Sequence, residues 1–366
     1  MEKVNILVIG AGVVGLATAK VLSEHFDDVV IVEKEKSFGR HTSSRNSEVL
    51  HSGIYYPQGT LKAEMCVKGL ELVYEYCKEN NVPHSNCGKL VVATDEEELP
   101  SLYKLKENGE KNGVTGLEII DQAGCNELEP QIKAIKAMFV PSTGIVDTHK
   151  MMANLESDVE ENDAFAVYEM EVVSIEKKES TYLVTFENGE VFEANIVVNS
   201  AGLFCDKIAG MVGIDVEKED LEMHWCKGEY YKTTKIKNVN HLVYPLPDPK
   251  GIFLGIHLTI NLNGEVRFGP NAYYLDDLDY SMDETYKSEF TKAVNKYLEI
   301  DEDSMQLDDC GIRPKLQAKG EGFRDFYIEE ESDKGFPNFI NLIGIESPGL
   351  TGCLAIAEKV KELIRK

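Results

Sequence analysis

Val4-Asn5-Ile6-Leu7-Val8-Ile9 is a short apolar run rich in β-branched residues that stops at a glycine, the pattern of a strand buried on both faces. Leu16, Ala19, Leu22 and Phe26 then recur at helical spacing, which predicts a helix over 16–26. A second strand is predicted over Val29–Val32, ending at Glu33. Farther on, 171–176 and 182–186 alternate apolar and polar, as a hairpin closed near Asn188-Gly189 would. A strand over 195–200 leads into a helix over 206–211. Between Tyr230 and Gly269 lie several short strands, punctuated at Pro245, Pro247, Gly251 and Asn263-Gly264. The acidic stretch 276–303 reads as mostly helical. At the far end come a strand over 339–344, a glycine- and proline-bearing loop over 346–352, and a helix over 354–365.

Between the first strand and helix stands Gly10-Ala11-Gly12-Val13-Val14-Gly15. In such a turn Gly10 permits the tight reversal, Gly12 lets backbone approach a pyrophosphate, and Gly15 lets the helix pack on the sheet. Free N–H groups and the positive end of the helix dipole face the phosphates. Glu33, 23 residues after Gly10, can accept the hydroxyl protons of an adenosine ribose. Its charge would repel a 2′-phosphate. A glycine turn that merely packs a helix would leave Glu33 unexplained, so the segment predicts dinucleotide binding.

Composition narrows the partners. The 366 residues carry 38 Lys and Arg against 64 Asp and Glu, a net charge of −26, with no basic patch. Such a chain repels phosphate backbones, which argues against nucleic acid. No stretch of about 18 apolar residues occurs, so no transmembrane segment is expected. Eight cysteines show neither C-x-x-C pairs nor metal-ligand spacing with histidine. Reduced thiols, a cytoplasmic location and no metal are the expectation. The length suggests about two domains.

An NAD-binding domain would continue after Glu33 with another strand and helix. Here 39–57, GRHTSSRNSEVLHSGIYYP, is instead polar and glycine-marked, as a segment laid along a flavin dinucleotide would be. The loop 346–352 and its following helix could likewise aim N–H groups at the anionic region of a reduced flavin ring.

The strings NSEVLHSGIYYP (46–57), EYCKENNVPHSNCGKLVVA (75–93), STGIVDTHKM (142–151), SAGLFCDKIA (200–209), KGEYY (227–231) and GIHLTINLNGEVRFGPNA (255–272) carry a resemblance. The chain resembles the D-amino-acid oxidase superfamily of FAD-dependent oxidoreductases over essentially its whole length, with L-2-hydroxyglutarate dehydrogenases and oxidases as the nearest branch. It departs in having Glu48 where the family often has glycine and Arg45 where histidine is common, and its final loop, ESPGLTG, follows the general oxidase pattern. The resemblance implies an α/β (α+β overall) fold. A Rossmann-like FAD-binding domain would come from 1–82, 142–220 and 307–366, and a mostly antiparallel-sheet substrate domain from 83–141 and 221–306.

It also implies oxidation of a 2-hydroxy acid to the 2-oxo acid by hydride transfer to flavin N5. Arg313, in Gly311-Ile312-Arg313-Pro314, is the candidate carboxylate anchor, because a guanidinium fork fits a carboxylate in two-point contact. In so acidic a chain it could equally form a structural ion pair. His51 and His257 compete as general base, since histidine titrates nearest neutral pH. Lys227, Tyr55 and Tyr56 are candidate substrate contacts, or a surface lysine and packed rings. Ser44, Asn46 and Ser47 are expected along the flavin with Gly349, Leu350 and Thr351, and Lys34, Val172, Val173, Ser200, Ala201 and Gly202 elsewhere along the cofactor. Glycerol 3-phosphate and amino acids stay open as substrates, as does a flavin-binding subunit without turnover. Dioxygen, a quinone and an electron-transfer protein stay open as acceptors.

Overall fold

The computed structural model describes residues 1–247 and 255–364; the turn expected at Gly251 and the final Arg365 and Lys366 lie outside them. Two large sheets and a small one organise the chain. In the first, Glu2–Ile9 runs parallel to Val29–Val32 on one edge and to Val191–Asn199 on the other. Phe165–Val167 and Phe339–Ile343 extend it in parallel, and Tyr327–Glu330 closes one side antiparallel. Ile6 and Val8 join one hydrophobic cluster while Leu7 and Ile9 join another. The run Ile6–Ile9 is therefore apolar without a break because both faces are covered, each fully buried aliphatic side chain contributing roughly 1.5–3 kcal/mol.

Four helices pack together on one face. Val13–Ser23 packs against Thr148–Glu161 and against the last helix, Gly349–Ile364, which in turn packs on Leu61–Glu79. At Gly69 a methyl group would stand 2.4 Å from the carbonyl oxygen of Thr351, so only glycine lets these two helices approach so closely.

The second large sheet has nine strands and is antiparallel except where Lys89–Ala93 runs parallel to Leu242–Pro245. The long strand His224–Thr233 pairs along one edge with Gln306–Lys315 and along the other with Tyr273–Leu275 and Val266–Gly269. Gln306–Lys315 thus belongs to this sheet, although most of it was expected in the nucleotide-binding part. A small sheet of Val49–Leu50, Gly144–Val146 and His84–Ser85 fastens the polar segment 39–57 to the body.

Several boundaries differ from the sequence reading. The first helix spans 13–23, leaving Phe26 beyond its end. Val172–Lys177 and Tyr182–Phe186 do form a hairpin, but Asn188-Gly189 closes the next one, between Tyr182–Phe186 and Val191–Asn199. Within 276–303 only Lys287–Val294 is α-helical, with a single 3-10 turn at Glu302–Ser304; much of the acidic stretch is loop capped by its own carboxylates. The last helix begins at Gly349, not 354. Pro348 stands just before its first turn and accepts a hydrogen bond from Gly352 N–H at 2.8 Å, so the loop residues are helical.

Candidate active site

The tight turn after the first strand needs Gly10 for two reasons. Its φ is +106°, and a side chain there would strike the carbonyl oxygen of Ser200 at 2.6 Å. Gly15 is closer still, its would-be methyl 1.9 Å from the Gly10 oxygen. The turn therefore lies against Ser200-Ala201-Gly202, and a trough opens along both. Glu33 sits at one end, its carboxylate fixed by the N–H groups of Ala11 (2.8 Å) and Glu35 (2.9 Å). Lys34 stands over the ring of Phe204, 3.6 Å from its centre, and Val172 completes that end.

Gly12, Thr42, Ser43, Ser200 and Gly202 line both this end and a second cavity, so the two are one continuous trough. The glycine cradle, the helix start at Val13 and Val14 and the fixed carboxylate fit an extended dinucleotide. The hydroxyl of Ser43 accepts the N–H of Val13 at 3.0 Å, holding segment 39–57 against the helix start.

The second cavity gathers Asn46, Ser47, His51, His257, Arg313, Gly349, Leu350 and Thr351. Each comes from a different constraint. Arg313 lies on the strand Gln306–Lys315 opposite Cys226. At Gly311, two residues earlier, a methyl would sit 2.1 Å from the Arg45 oxygen, so this strand touches the polar segment directly. His51 donates its backbone N–H to the hydroxyl of Thr351 at 2.9 Å, tying that segment to the last helix. His257 opens the strand His257–Ile260 and its ring stacks on Tyr244, 3.5 Å between centres and 10° from parallel.

Electrostatics follows from burial. The His51 imidazole is pushed down to about 3, first by burial and then by the charges of Lys89 and Arg313. It is therefore unprotonated at neutral pH. Arg313 lies 3.8 Å from Glu346, which also accepts from Lys62 at 2.9 Å and Lys315 at 3.1 Å. Burial alone would raise the Glu346 carboxyl, but Lys62, Lys315 and Arg313 together hold it below the ordinary carboxylate range.

Some expected contacts fall elsewhere. Lys227 is neither exposed nor in the cavity; it is buried, 3.4 Å from Glu229, and donates to the carbonyl of Ser281. Its position on the central strand turns its side chain to the opposite side from the cleft-lining Gly228. Tyr55 and Tyr56 lie behind the cavity lining, where the Tyr56 hydroxyl is 3.5 Å from that of Ser347. Ser44 faces Gly39 while its neighbour Ser43 reaches the trough, and Val173 points outward, 46% exposed. Residues that went unforeseen include Ser43, Phe204, Tyr230, Tyr244 and Glu346. Glu346 carried a visible signal, an acid inside ESPGLTG. Tyr230 and Tyr244 carried none, because sheet register places them.

Comparisons with known proteins identify the family and the fold. The family described as FAD dependent oxidoreductase matches residues 5–363. The mitochondrial L-2-hydroxyglutarate dehydrogenase of Arabidopsis thaliana is 38% identical, over 98% of this chain and 83% of its own. That of Homo sapiens is 30% identical, over 99% of this chain and 89% of its own. Among solved structures, the dithionite-reduced L-α-glycerophosphate oxidase of Mycoplasma pneumoniae, with FAD bound, superposes with a TM-score of 0.90 at 26% identity, covering 100% of this chain and 96% of that one. The expectation of a cytoplasmic location is overturned, since both dehydrogenases are mitochondrial by name.

Proposed function

The chain belongs to the family of FAD-dependent oxidoreductases, and from that premise we propose that it oxidises a 2-hydroxy acid, L-2-hydroxyglutarate before others, to the 2-oxo acid. The observation that carries this reading is the meeting of Arg313 with two cleft imidazoles beside the start of the last helix, in a chain 38% identical to an L-2-hydroxyglutarate dehydrogenase. FAD supplies a two-electron acceptor at N5.

The protein supplies the rest. Arg313 grips the carboxylate beside the hydroxyl-bearing carbon, and its planar fork fixes the orientation. The N–H groups at Gly349, Leu350 and Thr351 offer a positive helix terminus to negative charge in the cleft. His51 takes the hydroxyl proton. Two cations and burial keep it unprotonated before substrate arrives. An incoming carboxylate neutralises part of that positive field, so the imidazole gains basicity when its partner is present. His257, braced on Tyr244, shapes the opposite wall.

The fit to a glycerophosphate oxidase keeps glycerol 3-phosphate in the test. Anaerobic mixing of the FAD-loaded protein with L-2-hydroxyglutarate, its D-enantiomer, glycerol 3-phosphate and an amino-acid panel reads reduction without requiring an acceptor. Bleaching of the flavin band by L-2-hydroxyglutarate is expected. Bleaching only by glycerol 3-phosphate or an amino acid would replace the substrate, and bleaching by none would leave a flavin-binding subunit without turnover.

A further inference from the structure

Lys89 is a buried charge that the chemistry above uses only as a field. It opens the strand Lys89–Ala93 and is 0% exposed. Its ammonium has no hydrogen-bond acceptor among the described residues. It lies 4.8 Å from the centre of the Tyr55 ring and 4.6 Å from that of Tyr244. Tyr244 lines the cleft and stacks on His257, and the charge of Lys89 is felt at His51. The Tyr55 hydroxyl, beside it, is also buried without a partner among the described residues.

The neighbouring cations set the contrast. Lys62, Lys315 and Arg313 all converge on Glu346. Lys227 has Glu229. The groups facing Lys89 are His51 and Tyr55 from the polar segment, Cys66 from the helix Leu61–Glu79, and Tyr244 from the adjoining strand. None is a carboxylate. Burial pushes the Cys66 thiol and both tyrosines up, so they do not supply negative charge near neutral pH. An ammonium enclosed in this way is costly, and an apolar side chain of the same volume would leave a more stable fold. Burial accordingly pushes Lys89 down to about 7.

We infer that Lys89 and the Tyr55 hydroxyl receive a second carboxylate, so that a ligand acidic at both ends lies between Lys89 and Arg313. The flexible four-carbon stem lets the ammonium advance past the Tyr244 ring to meet it. This deepens the 2-hydroxy acid reading and rests on it: it gives Lys89 and Tyr55 the carboxylate of L-2-hydroxyglutarate that Arg313 does not hold. Binding draws a proton onto Lys89 wherever the free amine is neutral, so affinity for a dicarboxylate is level below about pH 7 and falls above it.

The test uses the FAD-loaded protein and two ligands that cannot be oxidised further, 2-oxoglutarate and 2-oxopentanoate, with binding followed by the flavin spectrum from pH 6 to 9. The intact protein is expected to prefer the dicarboxylate by about ten- to a hundredfold, the worth of one charge-assisted contact, with the preference shrinking as pH rises. Lys89→Met should abolish the preference and its pH dependence, keep its FAD and its affinity for 2-oxopentanoate, and raise the melting temperature. Lys89→Arg, which does not titrate in this range, should keep a preference that no longer declines above pH 7. A Met variant that still prefers the dicarboxylate overturns the inference, as does an intact protein that binds both ligands alike while 2-hydroxy acids reduce it. If no 2-hydroxy acid reduces the intact protein, the underlying function fails instead.

Discussion

Arg313 is held by a carboxylate that already serves two lysines. Its nitrogen is 3.8 Å from Glu346, while Lys62 and Lys315 are nearer, so the guanidinium keeps most of its donors for the cleft. Arg313→Lys retains the charge but loses the fork, and KM should rise roughly ten- to a hundredfold with flavin absorbance per protein unchanged. Unaltered steady-state kinetics would remove the anchor role. His51→Asn should lower kcat by about 10²–10⁴, the worth of a positioned base, whereas His257→Asn should cost roughly tenfold or less. The reverse order in rapid-reaction traces would move the base to His257. Glu48 adopts a φ of +58°, in the left-handed region that side chains other than glycine rarely enter, where the resemblance had implied a glycine.

The elements that the sequence made legible are those whose pattern is local. The first strand, the glycine turn and Glu33 could be read because each depends on neighbours within one strand-turn-helix unit. Arg313, His51 and His257 could be singled out from their motifs. Tyr230 and Tyr244 could not, because what brings them to the cleft is the pairing of strands far apart in sequence, such as Tyr244 opposite Val91. Likewise Lys227 was readable as a substrate contact or a surface lysine, since the sequence does not show that its strand is buried with Glu229 beside it. Helix packing supplies its own test. In Gly69→Ala the added methyl meets backbone at Thr351, not a yielding side chain, so the last helix must shift. About 1–3 kcal/mol of stability should be lost with weaker FAD retention, by denaturant titration and by flavin release. Gly210→Ala, whose methyl would enter open space in the helix Cys205–Val212, should be neutral or slightly stabilising and serves as the control.

Across the whole molecule, Glu346 is the strut. Its carboxylate joins the loop before the last helix to Lys62 on the helix Leu61–Glu79 and to Lys315 and Arg313 on the second large sheet. Because its acidity is strengthened in the fold, it stabilises the native state at pH values above the ordinary carboxylate range, and that contribution is lost as pH falls through its depressed value. Melting temperatures should therefore drop as the protein is taken from pH 5 to 3. Glu346→Gln should start lower, by about 3–5 kcal/mol at neutral pH because three cations lose their shared anion, and should drop less on acidification. Equal slopes for both proteins would show that the strut lies elsewhere.

The strand Gln306–Lys315 completes one large sheet, and soon afterwards Phe339–Ile343 and the helix Gly349–Ile364 complete the other. On the ribosome, then, nearly the entire polypeptide must emerge before either half is whole. A nascent chain halted short of Gln306 has neither the guanidinium nor the closing helix.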